Sequence, residues 1–135
     1  MIKYAIYLII ILCSILTLCS AQEQAGLAVE EMVFCTAIEN REPVGIDTVF
    51  SNTLERIYCY TKISSDIDTT SISHIWYYND QEVAKVDLAI KAKSWRTWSS
   101  KQIMEIWSGN WRVDVVSPSM EVIASKVFTV KQATP

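Results

Sequence analysis

Between positions 56 and 63 the side chains alternate. Ile57, Cys59, Thr61 and Ile63 fall on one side of an extended chain, and Tyr58, Tyr60 and Lys62 fall on the other. The same period of two recurs in 71–78, where Ile72, His74, Trp76 and Tyr78 share a face. In 82–90, Ala84, Val86, Leu88 and Ile90 read as inward, with Val83, Lys85, Asp87 and Ala89 outward. Trp111, Val113 and Val115 alternate with Arg112 and Asp114, and 122–130 supplies a last strand. Residues 27–38 are apolar on both faces, with Val33, Cys35 and Ala37 opposite Met32, Phe34 and Ile38, which suits an interior strand. Residues 47–50 form a short strand candidate, and 95–107 is less regular, with room for one helical turn over 101–107.

Turn chemistry separates these runs. Pro43 and Gly45 break the chain in 40–45, Ser51-Asn52-Thr53 turns it again, and 64–71 is a polar loop. Asn79-Asp80-Gln81 joins two strands, Lys91-Ala92-Lys93 closes their hairpin, and Gly109-Asn110 has the composition of a two-residue hairpin turn. Ser117-Pro118-Ser119 is the last turn. The expectation is an all-β, antiparallel immunoglobulin-like sandwich of about seven to eight strands in one domain over 27–135, with a small closed barrel as the alternative.

The first 21 residues stand apart. Lys3 precedes a charge-free apolar block over 4–18, and Cys19-Ser20-Ala21 places small residues ahead of Gln22. That is the build of an N-terminal signal peptide cleaved after Ala21, followed by a flexible lead over 22–26. The chain is therefore expected to be exported, to periplasm or exterior; an uncleaved N-terminal membrane anchor is the alternative reading. The net charge of −3, with Lys and Arg scattered singly, excludes nucleic acid as an expected partner and offers no basic patch to a membrane surface. Two of four cysteines, Cys35 and Cys59, lie outside the leader, and in an exported chain the simplest expectation is one disulfide, with two buried thiols as the alternative. Their separation is too short for the bridge of antibody domains, which joins more distant strands.

Several stretches together carry a resemblance. Cys35, Glu42-Pro43-Val44, Phe50, Tyr58-Cys59-Tyr60-Thr61 and His74-Ile75-Trp76-Tyr77 come in the order found in an exported bacterial family. Trp95-Arg96-Thr97-Trp98-Ser99-Ser100-Lys101, Gly109-Asn110-Trp111-Arg112-Val113 and Phe128-Thr129-Val130 continue it. The chain resembles domain-of-unknown-function family 2914 over nearly all of its length after the leader, with Trp98 where a tyrosine is more usual. The resemblance implies a small extracytoplasmic β-domain and no activity.

For chemistry, the lone histidine, His74, shares its face with large rings and reads first as a buried group satisfied internally, second as a proton acceptor or ligand contact. Arg96 and Trp98 fall on one side of their strand, and Trp95, Thr97, Ser99 and Lys101 on the other. A guanidinium beside indole, with Lys and hydroxyls nearby, makes a platform for a carboxylate-bearing or sugar-like ligand. The candidate binding set is His74, Trp76, Arg96, Trp98, Ser99 and Lys101 on one sheet, with Arg112 at its edge. Trp76 and Trp111 also suit the core.

One histidine and two separated cysteines make no tetrahedral metal set, and Asp66 and Asp68 lack the further acids and turn glycine of a calcium loop, so no metal or cofactor is expected. No Gly-x-Ser-x-Gly elbow accompanies Ser99 or Ser100. The reading is a non-catalytic binding or interaction module for an envelope glycan or protein. The alternatives are a small hydrolase using His74 with Ser99 or Ser100, and a purely structural envelope component.

Overall fold

The computed structural model describes residues 26–134; the leader and most of the lead lie outside the described residues. Ten strands follow in order: β1 (Leu27–Cys35), β2 (Ala37–Glu39), β3 (Glu42–Val44), β4 (Val49–Ser51), β5 (Arg56–Ser65), β6 (Thr70–Tyr78), β7 (Gln81–Ile90), β8 (Ser94–Gln102), β9 (Gly109–Val116) and β10 (Val122–Lys131). β5, β6 and β7 coincide with alternating runs, because each offers one face to bury and one to leave nearer water, whereas β1, apolar on both faces and expected inside its sheet, is an edge strand. The two strands beyond the eight expected are β2 and β3, of three residues each, in and beside the stretch that Pro43 and Gly45 made look like turn, while β4 falls on the short strand expected over 47–50.

Two sheets face each other. One has the order β1-β5-β8, the other β4-β10-β9-β6-β7, while β2 and β3 pair only with each other. Every pairing is antiparallel except β4 with β10. β1 meets β10 along one side of the sandwich and β8 meets β7 along the other. Phe34, Ile57, Trp76, Trp111, Val113 and Phe128 close one apolar cluster between the sheets; Ile63, Ile72, Ile90 and Val115 close a second. In the first, Trp111 stacks on Phe128 at 5.7 Å and Trp76 meets the same ring edge-on at 6.2 Å, an arrangement favoured by the ring quadrupoles.

Several sequence expectations are corrected by this topology. Gly109-Asn110 is not a hairpin turn: β8 and β9 lie in different sheets, so 103–108 crosses between layers, and Gly109 is the first residue of β9, facing Val130. Residues 101–107 hold a turn closed by Trp107 N–H on the Met104 carbonyl rather than a helix. Lys91-Ala92-Lys93 likewise passes from one sheet to the other. Val83, expected outside, packs against the core because a bulge opposite Trp76 and Tyr77 shifts the register there.

The expected disulfide is absent: Cys35 and Cys59 are both buried free thiols. The β1–β5 register explains it. Phe34 is opposite Cys59 and Cys35 is opposite Tyr58, so the two cysteines are one position out of line and point to opposite faces of the sheet. Burial raises the pKa of both thiols.

Candidate functional site

The polar residues of β5, β6 and β8 fall into two groups by parity. Thr61, Thr97 and Ser99 point inward with His74 and Trp76 from the facing sheet, and all are buried, His74 at 0% exposure. Trp76 Nε1–H donates to Ser99 Oγ at 3.0 Å, and Ser99 Oγ lies 2.6 Å from His74 Nδ1. On the other ring nitrogen, His74 Nε2 lies 3.2 Å from Thr61 Oγ1, and Thr61 donates its hydroxyl proton to the Thr97 carbonyl at 3.0 Å. Thr61 has only that one proton, so towards His74 it accepts. The proton is therefore on Nε2, and Nδ1 accepts from Ser99. Each proton has one destination, and no buried side-chain nitrogen or oxygen among the described residues lacks a partner.

This network lies between the two apolar clusters and joins the sheets, since Ser99 and Thr61 belong to one and His74 and Trp76 to the other. Desolvation pushes the His74 pKa down to about 4, so the imidazole is neutral at ordinary pH. The Ser99–His74 contact has the length of a nucleophile–base pair, but the ring's far nitrogen faces a threonine rather than a carboxylate, and Ser99 is 5% exposed.

The outward residues of the same strands make a different surface. Tyr60 and Trp98 are cross-strand partners with stacked rings at 6.5 Å, and Lys62 is opposite Arg96. Across this face folds the β2–β3 hairpin, whose turn residues Asn40 and Arg41 both have positive φ, 51° and 61°. Its root closes where Thr36 N–H donates to the Val44 carbonyl and Gly45, at φ 73°, sits against Thr36. An added Cβ on Gly45 would stand 2.1 Å from the Thr36 hydroxyl, so a larger residue there must displace the Thr36 side chain and bear a strained φ at the root of this strap.

At the far end the hairpin tip reaches β8. Arg96 pairs with Glu42 and also donates to the Arg41 carbonyl, while Arg41 donates to the Arg96 carbonyl at 3.4 Å. The Arg41 guanidinium lies 5.3 Å from the Trp95 ring centre and 5.9 Å from that of Trp98. Beside it is a groove of about 540 Å³ lined by Glu31, Arg41, Glu42, Lys62, Trp95 and Arg96, with the Tyr60 ring beneath.

The seven candidate residues therefore do not share one sheet. His74, Trp76 and Ser99 are core; Arg96 and Trp98 are on the strapped outer face. Lys101 points inward at the sandwich margin, its ammonium 4.7 Å from the Trp107 ring centre. Arg112 lies on the other sheet's outer face, over Tyr77 at 4.2 Å, and is paired with Asp80 and Asp114. The topology separates them because β6 and β9 lie in the five-stranded sheet and β8 in the three-stranded one. Arg41, Glu42, Tyr60, Lys62 and Trp95 were missed as site residues. Asn40-Arg41 between two short β-forming pieces was the only local sign of a two-residue tip, and nothing local says where that tip lands.

Residues 69–130 match the model of the family described as protein of unknown function, DUF2914. The resemblance read from the sequence is borne out over that span. The DUF2914 match runs from β6 to β10, so it takes in His74, Arg96, Trp98, Ser99 and Arg112 and leaves out β1, β5 and the strap. No curated protein matches the chain. Among solved structures the chain is similar to part of a β-glucosidase from Listeria innocua, solved in complex with glucose. There the identity is 10%, the TM-score 0.47, and the coverage 77% of this chain and 15% of that one. It is also similar to part of a GH3 β-glucosidase from Bifidobacterium adolescentis, at 11% identity and TM-score 0.44, covering 79% and 17%. The chain thus spans under a fifth of either enzyme's length, and nothing about its chemistry follows from them.

Proposed function

We propose that this protein is a non-catalytic, exported binding module of the cell envelope that engages a glycan or protein partner through the strapped outer face of its three-stranded sheet. The observation that carries this reading is the division of polar groups in β5 and β8. Of those facing inward, Thr61 and Ser99 are tied to His74, Trp76 and the Thr97 carbonyl in one closed network. Those facing outward leave cations and the half-exposed Trp98 indole beside an open groove. Folded β-domains present recognition residues in this way on a rigid scaffold, with Arg and Trp contributing most of the contact energy.

The test is Arg96→Ala in the full chain, read by binding to envelope glycan and protein fractions and by thermal melting. Binding should fall about tenfold. Melting should move by no more than about 5 °C, because a half-exposed ion pair contributes at most about 1 kcal/mol. An equal loss of both would make Arg96 a structural residue.

A hydrolase reading draws on one observation, the 2.6 Å contact between Ser99 and His74. It requires that a substrate reach a serine buried between the sheets and already holding the Trp76 indole. A fluorophosphonate probe that labels the native chain but not Ser99→Ala would favour it over the binding module.

A further inference from the structure

Arg41 is the cation on the strapped face that is held by indoles and a carbonyl rather than by an acid. It occupies the second turn position of a tight hairpin at φ 61°, where glycine is preferred and a long side chain is strained. Its guanidinium rests over two indoles, and no carboxylate of the described residues lies within ion-pair distance of it. A second oddity lies alongside. Lys62 and Arg96 are directly opposite on adjacent strands, a like-charge pairing that sheets ordinarily avoid. Glu42 answers Arg96 and Glu30 answers Lys62 at 3.6 Å, which leaves Arg41 as the third cation, with one donor on the Arg96 carbonyl and no carboxylate partner among the described residues.

We infer that the groove between Arg41, Lys62 and Arg96 binds an acidic saccharide, with Arg41 gripping the sugar's carboxylate. This deepens the binding-module reading and rests on it. A guanidinium already oriented by aromatic surfaces suits a planar carboxylate, since its donors match the two oxygens and little side-chain freedom is left to lose. Glu31 and Glu42 in the same lining favour a saccharide over an acidic peptide: they accept hydrogen bonds from sugar hydroxyls but repel a run of carboxylates. The lining also has Ala92 as its sole aliphatic side chain, so it lacks the apolar pocket that anchors a peptide.

The experiment is a titration of the full chain, kept soluble in mild detergent, with a tetra-uronate oligosaccharide. The same oligosaccharide with its carboxyls reduced to alcohols, and tetraglutamate, serve as comparisons. The uronate should bind at least tenfold more tightly than either. Arg41→Gly should remove that preference while melting at or above the temperature of the native chain, because glycine relieves the positive φ. Equal binding of the charged and reduced sugars, or tighter binding of tetraglutamate, would overturn the inference and leave the binding module standing. Absence of saccharide binding together with failure of the Arg96→Ala test on envelope fractions would remove both.

Discussion

The inner and outer faces of the three-stranded sheet are built from alternate residues of the same strands, yet their polar groups have opposite fates. Thr97 and Ser99 are enclosed and tied to His74, Trp76 and Thr61, whereas Arg96 and Trp98, their immediate neighbours in sequence, stand under a strap beside open water. Enclosure makes the inner groups expensive to disturb, because a stranded donor or acceptor cannot turn to solvent. Exposure makes the outer charges cheap to change and available to a ligand. A polar residue's parity on its strand therefore says more about its role than its chemical type does.

The sharpest way to break this contrast is Ser99→Ala. It strands the Trp76 indole N–H and leaves His74 Nδ1 without its donor, two buried losses that should cost about 4 kcal/mol in urea unfolding. A loss below about 1 kcal/mol would mean that the inner network is not holding the sheets together.

Next is acidity. In the folded chain His74 has its pKa lowered to about 4 from the ordinary 6.5, so the unfolded chain takes up a proton first as pH falls. Stability contributed by the neutral ring is complete above pH 6.5, declines between 6.5 and 4, and levels off below. The total is on the order of 3 kcal/mol. His74→Leu should flatten that part of the stability–pH curve; an unchanged slope would assign it to carboxylates instead.

The smallest effect is expected outside. Glu42→Gln removes the half-exposed partner of Arg96 and should change stability by less than about 1 kcal/mol, while hydrogen exchange in 37–44 speeds up as the strap tip loosens. A stability loss as large as that of Ser99→Ala would erase the distinction between the faces.

Much of the fold was legible in the chain because burial on one face imposes a period of two. The alternation in 56–63, 71–78 and 82–90 placed β5, β6 and β7 and put His74 on the same side as Trp76. What the alternation could not supply was pairing. A one-residue offset between β1 and β5 separates Cys35 from Cys59, and register is a tertiary property. Gly109-Asn110 has hairpin composition, but whether a turn joins neighbours or crosses between sheets depends on the layers it connects. The site was legible only in part. Arg96 and Trp98 were correctly placed on a common side, while Arg41 reaches them across 55 positions of sequence through a hairpin folded over the sheet.

The most direct test of the account is nitrogen NMR of the His74 ring followed from pH 8 to pH 4. A neutral imidazole with its proton on Nε2, unchanged down to about pH 5, is the predicted result. Titration near pH 6.5, or a proton on Nδ1, would contradict a histidine locked between Ser99 and Thr61, and with it the division of the sheet into a committed interior and an open exterior.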